Sequence, residues 1–448
     1  MKLLVKLIII LSGGNCLYAQ SALSFSEASS MMMNKNIEVK INNKKIDATH
    51  YKIKAAQSMF YPQIKAFGAA TYIDKEYRLN LNDKRDQLAT LFQLHSPDIL
   101  GSWDFTLQKK DMAFGGISMA WPIYTGGKIR SAVNIAKINA EVAKVDKNNS
   151  EQSLISELAN SYFKTKLAEE AVTVKENVLE VMNVHLSNSV KMERSGIIAG
   201  VEVLQAKVAV AEAERQLLAS KKDLQLAKTA LSATLETEEE FTLTTPFFLK
   251  ENMNSLEEYK EKAAANYPQI QKLKLVEEIA QQGINIEKAG HLPTVLLTGQ
   301  QILASHNFPL VKNPLILGIM VTYDLFDGFG QKNKILAAKS EKETIEMTRE
   351  KLQLDIKTYV EKLYNELKKS DEQIVSLNES IKLAEELVRI RKASFAEGIS
   401  TSTDVIDAEL NLSGKKIEQL KAYTDYDTNL AKLFEVCGMS SDYVQNAQ

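Results

Sequence analysis

The sequence repeats itself once along its length, and this constrains the fold most, because both halves must build the same set of elements. Residues 121–126 (WPIYTG) align with residues 323–328 (YDLFDG), and Gly196-Ile197 aligns with Gly398-Ile399. Both matches have an offset of 202 residues, since 328 − 126 and 398 − 196 are equal. We therefore expect two structural repeats, residues 20–254 and 255–448, after a leader over residues 1–19.

A second pair of matches shows where the repeats differ. Residues 25–27 (FSE) align with residues 256–258 (LEE), and Pro62 aligns with Pro293, both at an offset of 231. The first repeat therefore holds 29 extra residues (231 − 202) after Pro62. They fall in the polar stretch around residues 76–110, which we predict to be a long loop.

Hydrophobic periodicity predicts the same order of elements in each repeat: a helical stretch, two strands, a very long helix, a glycine-containing tip and a return helix. The predicted helical stretches are about 24–59, 128–194 and 202–236, then 255–289, 330–396 and 403–436. The first return helix carries alternating three- and four-residue spacing, typical of a coiled-coil seam, at Val203, Ala206, Val210, Ala213, Leu217, Ser220, Leu224, Ala227 and Leu231. The second long helix has a similar seam at Ile374, Leu377, Ile381, Ala384 and Val388.

The predicted helix lengths indicate a tall helical layer. At about 1.5 Å per residue, the stretch 128–194 would span on the order of 100 Å. The stretches 202–236 and 255–289 would each span about 52 Å. Two short helices stacked end to end would therefore match one long helix. A four-helix bundle core remains compatible with the seams alone.

Four strand-like segments are long enough to cross a membrane at a tilt. They cover residues 62–76, 113–124, 293–305 and 315–326. Four strands cannot close on themselves, and an open sheet edge is not tolerated in lipid. If these strands span a membrane, several chains must pool them.

The first residues resemble an export signal. Lys2 and Lys6 precede an apolar run that breaks at residues 12–15 (SGGN), and Ala19 offers a small residue for cleavage. Asn15 is a poor neighbour for lipidation at Cys16, so we expect cleavage after Ala19. The near balance of 55 Lys+Arg against 57 Asp+Glu argues against a nucleic-acid-binding tract.

This combination resembles the TolC family of outer-membrane efflux and secretion channels (outer membrane factors). The similarity covers essentially the whole mature chain and is most specific at residues 397–408 (EGISTSTDVIDA). It implies a mainly α fold with a small membrane β part: a long coiled-coil helical barrel plus a trimeric twelve-stranded β-barrel. It further implies a homotrimer in the outer membrane of a Gram-negative bacterium, in contact with outer-membrane lipid. Its implied partners are a periplasmic adaptor (membrane fusion) protein and an inner-membrane pump or ABC transporter.

No catalytic or cofactor site is expected. The five histidines are scattered without metal-ligand spacing, so each is best interpreted as a solvated or core residue. Gly126-Gly127-Lys128 resembles the end of a phosphate loop, but Ile129 replaces the required Ser or Thr. The pair Gly328 and Gly330 lacks the third glycine of a dinucleotide fingerprint. We interpret all these glycines as strand-to-helix turns, and expect neither a metal nor a cofactor.

Two candidate sites lie at the predicted tips. Gly196, Ile197, Gly398 and Ile399 form hairpin turns, and the resemblance implies that an adaptor docks there, although the turn alone explains the glycines. Asp404 and Asp407 fall on one helical face, and in a trimer they would place six carboxylates at the channel entrance. The alternative is that they complement the helix dipole, with Thr401 or Thr403 as the cap. Ser400 departs from the basic residue that some family members place there as a latch.

An exported periplasmic coiled-coil adaptor or scaffold remains the alternative function. Such proteins share long helical hairpins, but they usually carry compact β-domains around a single hairpin. Here two hairpins are predicted, each preceded by two long strands. This order favours the channel.

Overall fold

The structure is a computed structural model that describes residues 21–250, 252–307 and 314–447. Residues 1–19, the predicted leader, lie outside the described residues. The elements of the first part are β1 (Ser21–Leu23), α1 (Phe25–Lys35), α2 (Ile37–Gln57), β2 (Gln63–Tyr72), β3 (Tyr77–Asn80), α3 (Asn82–Leu91), β4 (Asp104–Gln108) and β5 (Asp111–Tyr124). Then follow α4 (Lys128–Arg194), α5 (Gly200–Leu235), β6 (Phe241–Leu243), α6 (Leu256–Asn266), α7 (Pro268–Ala289), β7 (Thr294–His306), β8 (Leu315–Thr322), α8 (Gly330–Ala396), α9 (Ser402–Val436) and α10 (Ser440–Asn446).

The predicted fold class, mainly α with a small β part, is confirmed. α4 and α8 each contain 67 residues and begin and end where the sequence predicts. The return helices α5 and α9 contain 36 and 35 residues. None of the helices in the described part of the chain carries an apolar run of the length and hydropathy that a bilayer crossing needs.

The opening helical stretches are each broken once, whereas the sequence periodicity predicts continuous helices. Asn36 ends α1 and uses its side chain to accept a hydrogen bond from the Glu38 amide at 2.8 Å, so it starts α2. Tyr267 leaves the helical region at ψ 118° because the following Pro268 disfavours α geometry in the residue before it. Both openings begin with a serine cap: Ser24 accepts from the Glu27 amide and Ser255 from the Glu258 amide.

The four predicted strands form one antiparallel sheet in the order β2-β5-β7-β8. β5 pairs with β2 from Gln63↔Ala120 to Tyr72↔Asp111. β7 pairs with β5 on one side and with β8 on the other, so it joins the β2–β5 pair to β8. β2 and β8 are therefore the outer strands of the sheet.

The stretch around residues 76–110, predicted to be a long loop, is instead folded. It contains the two-stranded sheet of β3 and β4, the helix α3 and a 3₁₀ turn at Pro97–Leu100. The prediction was wrong because strands of 4 and 5 residues are too short to show clear periodicity in a polar segment.

By its contacts the chain divides into two compact units. One comprises the described residues up to Lys44, with Val145–Lys272 and those from Arg349 onward; the other comprises Lys45–Lys144 and Leu273–Thr348. Each unit draws on both halves of the sequence, so the contact division differs from the predicted repeat boundary.

The first unit is built around an aromatic core. The rings of Tyr162, Phe163 and Tyr443 pack around Phe25, with centroids 5.4–5.8 Å from its ring. The Tyr162 hydroxyl donates to the Leu23 carbonyl at 2.7 Å and accepts from the Thr245 amide at 3.1 Å. This buried hydroxyl therefore ties α4 to the segments that flank it. In the same unit, four of the nine predicted seam residues of α5 are buried, and the other five are half-buried. The buried four are Val203, Ala206, Ala213 and Leu231.

Candidate functional site

The two hairpins of the first unit end in turns of the same type. The amide of Ile197 donates to the Met192 carbonyl and that of Gly196 to the Glu193 carbonyl, both at 2.9 Å. The amides of Ile399 and Gly398 repeat this pattern after α8. This paired bonding is a Schellman motif, which requires a left-handed residue after the helix. Gly196 and Gly398 supply it, with φ of 70° and 74°.

The tips of the two hairpins touch each other. A Cβ placed on Gly398 would lie 3.3 Å from the Ile197 Cγ2 atom, whereas one on Gly196 would meet open space. Ile197 and Ile399 nevertheless remain 56% and 76% exposed. The four predicted tip residues thus form one surface with two solvent-exposed isoleucines.

Asp404 is engaged at the start of α9. Its Oδ2 atom accepts hydrogen bonds from the Thr401 amide at 2.9 Å, the Thr401 hydroxyl at 2.8 Å and the Ser400 hydroxyl at 3.0 Å. The Thr401 side chain accepts from the Asp404 amide, which completes a capping box. The hydrogen bond from the Thr401 backbone, followed by those from the two hydroxyls, lowers the pKa of Asp404. Thr401 is therefore the cap, and Thr403 is not.

The structure also bears on the predicted latch position, residue 400, and on Asp407. Arg391 on α8 places its Nη1 atom 3.6 Å from the Asp404 Oδ1 atom, so a basic group reaches the tip from α8 although position 400 is serine. Asp407 lies one turn further along α9 and is exposed. The structure thus separates an aspartate used by the fold from one that faces solvent.

Residues from the first hairpin hold the start of α9. We call His185, Glu202 and Ser402 the inter-hairpin clasp. The His185 Nε2 atom lies 2.7 Å from the Ser402 hydroxyl, and both side chains are buried. The Glu202 carboxylate accepts from the Ser402 amide at 2.6 Å. α5 therefore supplies part of the N-terminal cap of α9. The sequence pattern predicts this role for none of the three residues.

His185 is a core histidine, one of the two alternatives that the sequence left open. Burial, and then the positive charge of Lys392, lowers the pKa of His185, while the Glu202 carboxylate partly opposes this. Its ring packs against Phe395 with centroids 4.7 Å apart. The neutral imidazole therefore belongs to the packing between α4 and α8.

In the first unit one cavity adjoins the clasp, and a second lies between α4, α5 and α9. One, of about 620 Å³, lies between α4 and α8 and is lined by His185, Asn188, Lys191 and Lys392 among others. The other, of about 410 Å³, is almost wholly apolar and involves Met182 and Leu204. Among the described residues no three or more His, Cys, Asp or Glu side chains come together as a possible metal site.

The predicted strand-to-helix turns lie in the second unit. Gly126 and Gly127 precede α4 with φ of 63° and 91°, and a Cβ on Gly126 would come within 2.9 Å of the Leu292 Cβ atom. Before α8 the left-handed residues are Gly328 and Phe329, with φ of 67° and 66°. Gly330 is instead the first residue of α8, so Phe329 takes the strained position there.

A family model described as "Outer membrane efflux protein" matches residues 30–236 and 260–439. These ranges include both hairpins and all four strands of the larger sheet. No curated protein sequence matches the chain significantly.

Solved structures share the whole architecture at low sequence identity. A structure of CusC, described with transmembrane channel formation, superposes with a TM-score of 0.76 at 13% identity, covering 92% of both chains. The outer membrane protein VceC from Vibrio cholerae gives 0.71 at 15% identity, covering 92% of this chain and 96% of that one. The open-state outer membrane channel MtrE from Neisseria gonorrhoeae gives 0.71 at 16% identity, covering 93% and 89%. At such identities the agreement concerns the fold.

Proposed function

The chain belongs to the outer membrane efflux protein family, and on that premise we propose that it is the outer-membrane conduit of a tripartite efflux or type I secretion system. The observation that carries this proposal is the family match across both hairpins and the sheet. The conduit is passive: an inner-membrane transporter drives the cargo, and this chain provides the path through the outer membrane. Drugs, metal ions and proteins are all compatible cargo classes.

We propose that the working form is a homotrimer in the outer membrane of a Gram-negative bacterium. The support is the sheet order β2-β5-β7-β8, which leaves β2 and β8 as outer strands. In lipid, unpaired backbone groups on those edges would each cost several kcal/mol. Three copies would join β2 of one chain to β8 of the next and close twelve strands. The helical part would then extend into the periplasm.

The tip surface is the proposed docking site for a periplasmic adaptor protein, which in turn contacts an inner-membrane pump or ABC transporter. Gly196 and Gly398 reverse the chain, while Ile197 and Ile399 remain exposed. Exposed apolar side chains at a hairpin end suit a partner that also presents helical hairpins. Nearby, Asp404 and Asp407 are proposed to mark the channel entrance, with Asp407 as the solvent-facing charge.

We also propose that the chain arose by duplication, with residues 20–254 and 255–448 as the two copies. Equivalent positions carry equivalent local chemistry. Ser24 and Ser255, which cap α1 and α6, lie at the 231-residue offset. α4 and α8 have the same length and the same Schellman ending at the 202-residue offset.

The proposal is tested by deleting the gene and screening the strain against a broad panel of toxic compounds and metal ions, together with its secreted proteins. Complementation with the full chain should restore the lost phenotype, and the protein should fractionate with detergent-extracted outer membranes. Recovery as a soluble periplasmic protein, with no change in susceptibility or secretion, would instead favour the adaptor or scaffold alternative.

A further inference from the structure

The segment between β2 and β5 forms a small folded insert. We call residues 73–110 the β2–β5 insert. Its base is closed where the Ile73 amide donates to the Lys110 carbonyl at 2.8 Å, directly continuing the β2–β5 pair. Inside it, Arg85 donates to the Gly101 carbonyl at 2.8 Å, and the Leu81 amide donates to the Trp103 carbonyl at 2.8 Å. These bonds fix α3 against the segment leading to β4.

One face of the two-stranded sheet in this insert carries four exposed apolar side chains, beside Gln108, which pairs with Tyr77 at a break in the register. Its residues, which we call the apolar sheet face, are Tyr77, Leu79, Phe105 and Leu107, exposed by 67%, 43%, 50% and 36%. Leu79 and Phe105 are direct cross-strand neighbours. The opposite face is polar and carries the Arg78–Asp104 ion pair at 2.5 Å.

A second apolar set lies on the same insert. Leu91 and Phe92 at the end of α3 and Ile99 in the 3₁₀ turn are exposed by 75%, 64% and 66%; we call them the α3 apolar end. A two-stranded sheet is marginally stable in water unless another surface covers its apolar face. Clustered exposed apolar groups of this kind mark interaction sites.

The position of the insert in the sheet indicates which partner can reach it. β2 begins after α2 and ends in the insert, and β5 leaves the insert and ends before α4. The insert therefore lies at the sheet end opposite the one where these helices attach, beyond the reach of a periplasmic partner in the proposed arrangement. It also follows β2, an outer strand of the sheet, where the proposed trimer requires the next copy.

We propose that the occupant is a second copy of this chain: the apolar sheet face of one insert packs on the α3 apolar end of the next. This inference rests on the proposed trimer. A contact between two different surfaces is heterologous, and with a threefold rotation it closes into a ring. Three inserts then form a cap that narrows the outer mouth of the channel.

Cysteine cross-linking of the full-length chain tests the contact. Among the described residues Cys437 is the free cysteine, and it is buried. Cross-links should therefore form at the introduced thiols and not at Cys437. The variant L79C/L91C, treated with a short bis-maleimide in outer membranes, should give covalent dimers and trimers on denaturing gels. The matched pair T106C/L91C, with Thr106 on the polar face, should link much less. Equal linking in both, or none in the first, overturns the inference.

Two further measurements separate failure of this contact from failure of the proposed assembly. Native mass spectrometry of the same samples reports the oligomeric state. Trimers without cross-links would contradict only the proposed cap, whereas monomers would contradict the proposed trimer itself.

In planar bilayers, L79D/F105D should raise the single-channel conductance while trimers persist, because the cap no longer covers the mouth. T106D, on the polar face, should leave conductance unchanged. No gain with L79D/F105D would also overturn the inference.

Discussion

Two glycines with the same backbone conformation have different surroundings at the hairpin tips. Gly196 and Gly398 are both left-handed, and an alanine in that conformation costs about 1–2 kcal/mol. A Cβ on Gly398 also meets the Ile197 methyl at 3.3 Å, while a Cβ on Gly196 meets nothing. We expect G398A to lower the melting temperature of the purified protein more than G196A. Equal shifts would mean that the two tips do not pack against each other.

Asp427 is a carboxylate in an apolar setting. It is fully buried in the first unit, and neither carboxylate oxygen has a hydrogen-bond partner among the described residues. Burial raises the pKa of Asp427 well above its usual range, and the nearby Phe248 amide offsets only part of that rise. The side chain is therefore protonated in the folded protein at pH values where it is ionised in the unfolded chain.

This pKa shift predicts how stability depends on pH. Because the folded-state pKa of Asp427 exceeds the unfolded-state value, its contribution is full below the unfolded pKa and is lost as pH rises through the folded pKa. Asparagine keeps the shape without the charge, so D427N should remove this component and melt higher than the wild type at alkaline pH. Thermal melting across a pH series measures both effects. A D427N curve parallel to that of the wild type would contradict the assignment.

Substitutions of the two aspartates at the proposed entrance should have different effects. Asp404 is held by the Thr401 and Ser400 donors, whereas Asp407 is exposed. We expect D407N to reduce cation preference and block by multivalent cations in planar bilayers, with unchanged thermal stability. D404N, the matched control, should lower thermal stability slightly, because it weakens the capping box and the favourable dipole interaction. Unchanged selectivity in the D404N/D407N double variant would leave only the capping role.

At the scale of elements, side chains near the turns join the two hairpins. The clasp connects α4 and α5 to the first turn of α9, and the Ile197 side chain reaches Gly398. Within the second hairpin, the exposed Lys392 forms an ion pair with the buried Glu409, which links α8 to α9. These contacts keep the two turns together as one surface, which is what a docking partner would meet.

Charged substitutions at that surface test the docking proposal. I197E and I399E place carboxylates at exposed positions, so folding and oligomer formation should be unaffected. Efflux or secretion in the complemented deletion strain should fall to the level of the deletion, because a buried unpaired charge opposes the adaptor contact. L226E, at a similarly exposed leucine of α5 far from the turn, is the matched control. Full activity of both isoleucine variants would place docking elsewhere.

At the scale of the whole molecule, closure of the sheet in lipid is the physical requirement behind the proposed assembly. A chain with two outer strands must pair both of them, and three chains of four strands satisfy every edge. We expect native mass spectrometry in mild detergent to give a stable trimer. A stable monomer or dimer under conditions that preserve secondary structure would contradict the assembly.

Features set by local patterns were predicted from the sequence alone. The four strands, the bounds of α4 and α8 and the inward-facing seam of α5 follow from periodicities that each segment carries within itself. The exceptions are also local: Asn36 and Pro268 break helices that periodicity alone continues, and the short strands β3 and β4 carry too few residues to show an alternation.

The sequence therefore established the long helices and the four long strands, whereas only the tertiary structure showed which side chains share a site. His185 and Ser402 are separated by 217 positions and lie in segments whose patterns give no sign of the other. The same holds for Ile197 beside Gly398 and for the isolation of Asp427. Periodicity reports which face of a helix is buried, but the partner across that face depends on how helices distant in sequence pack together.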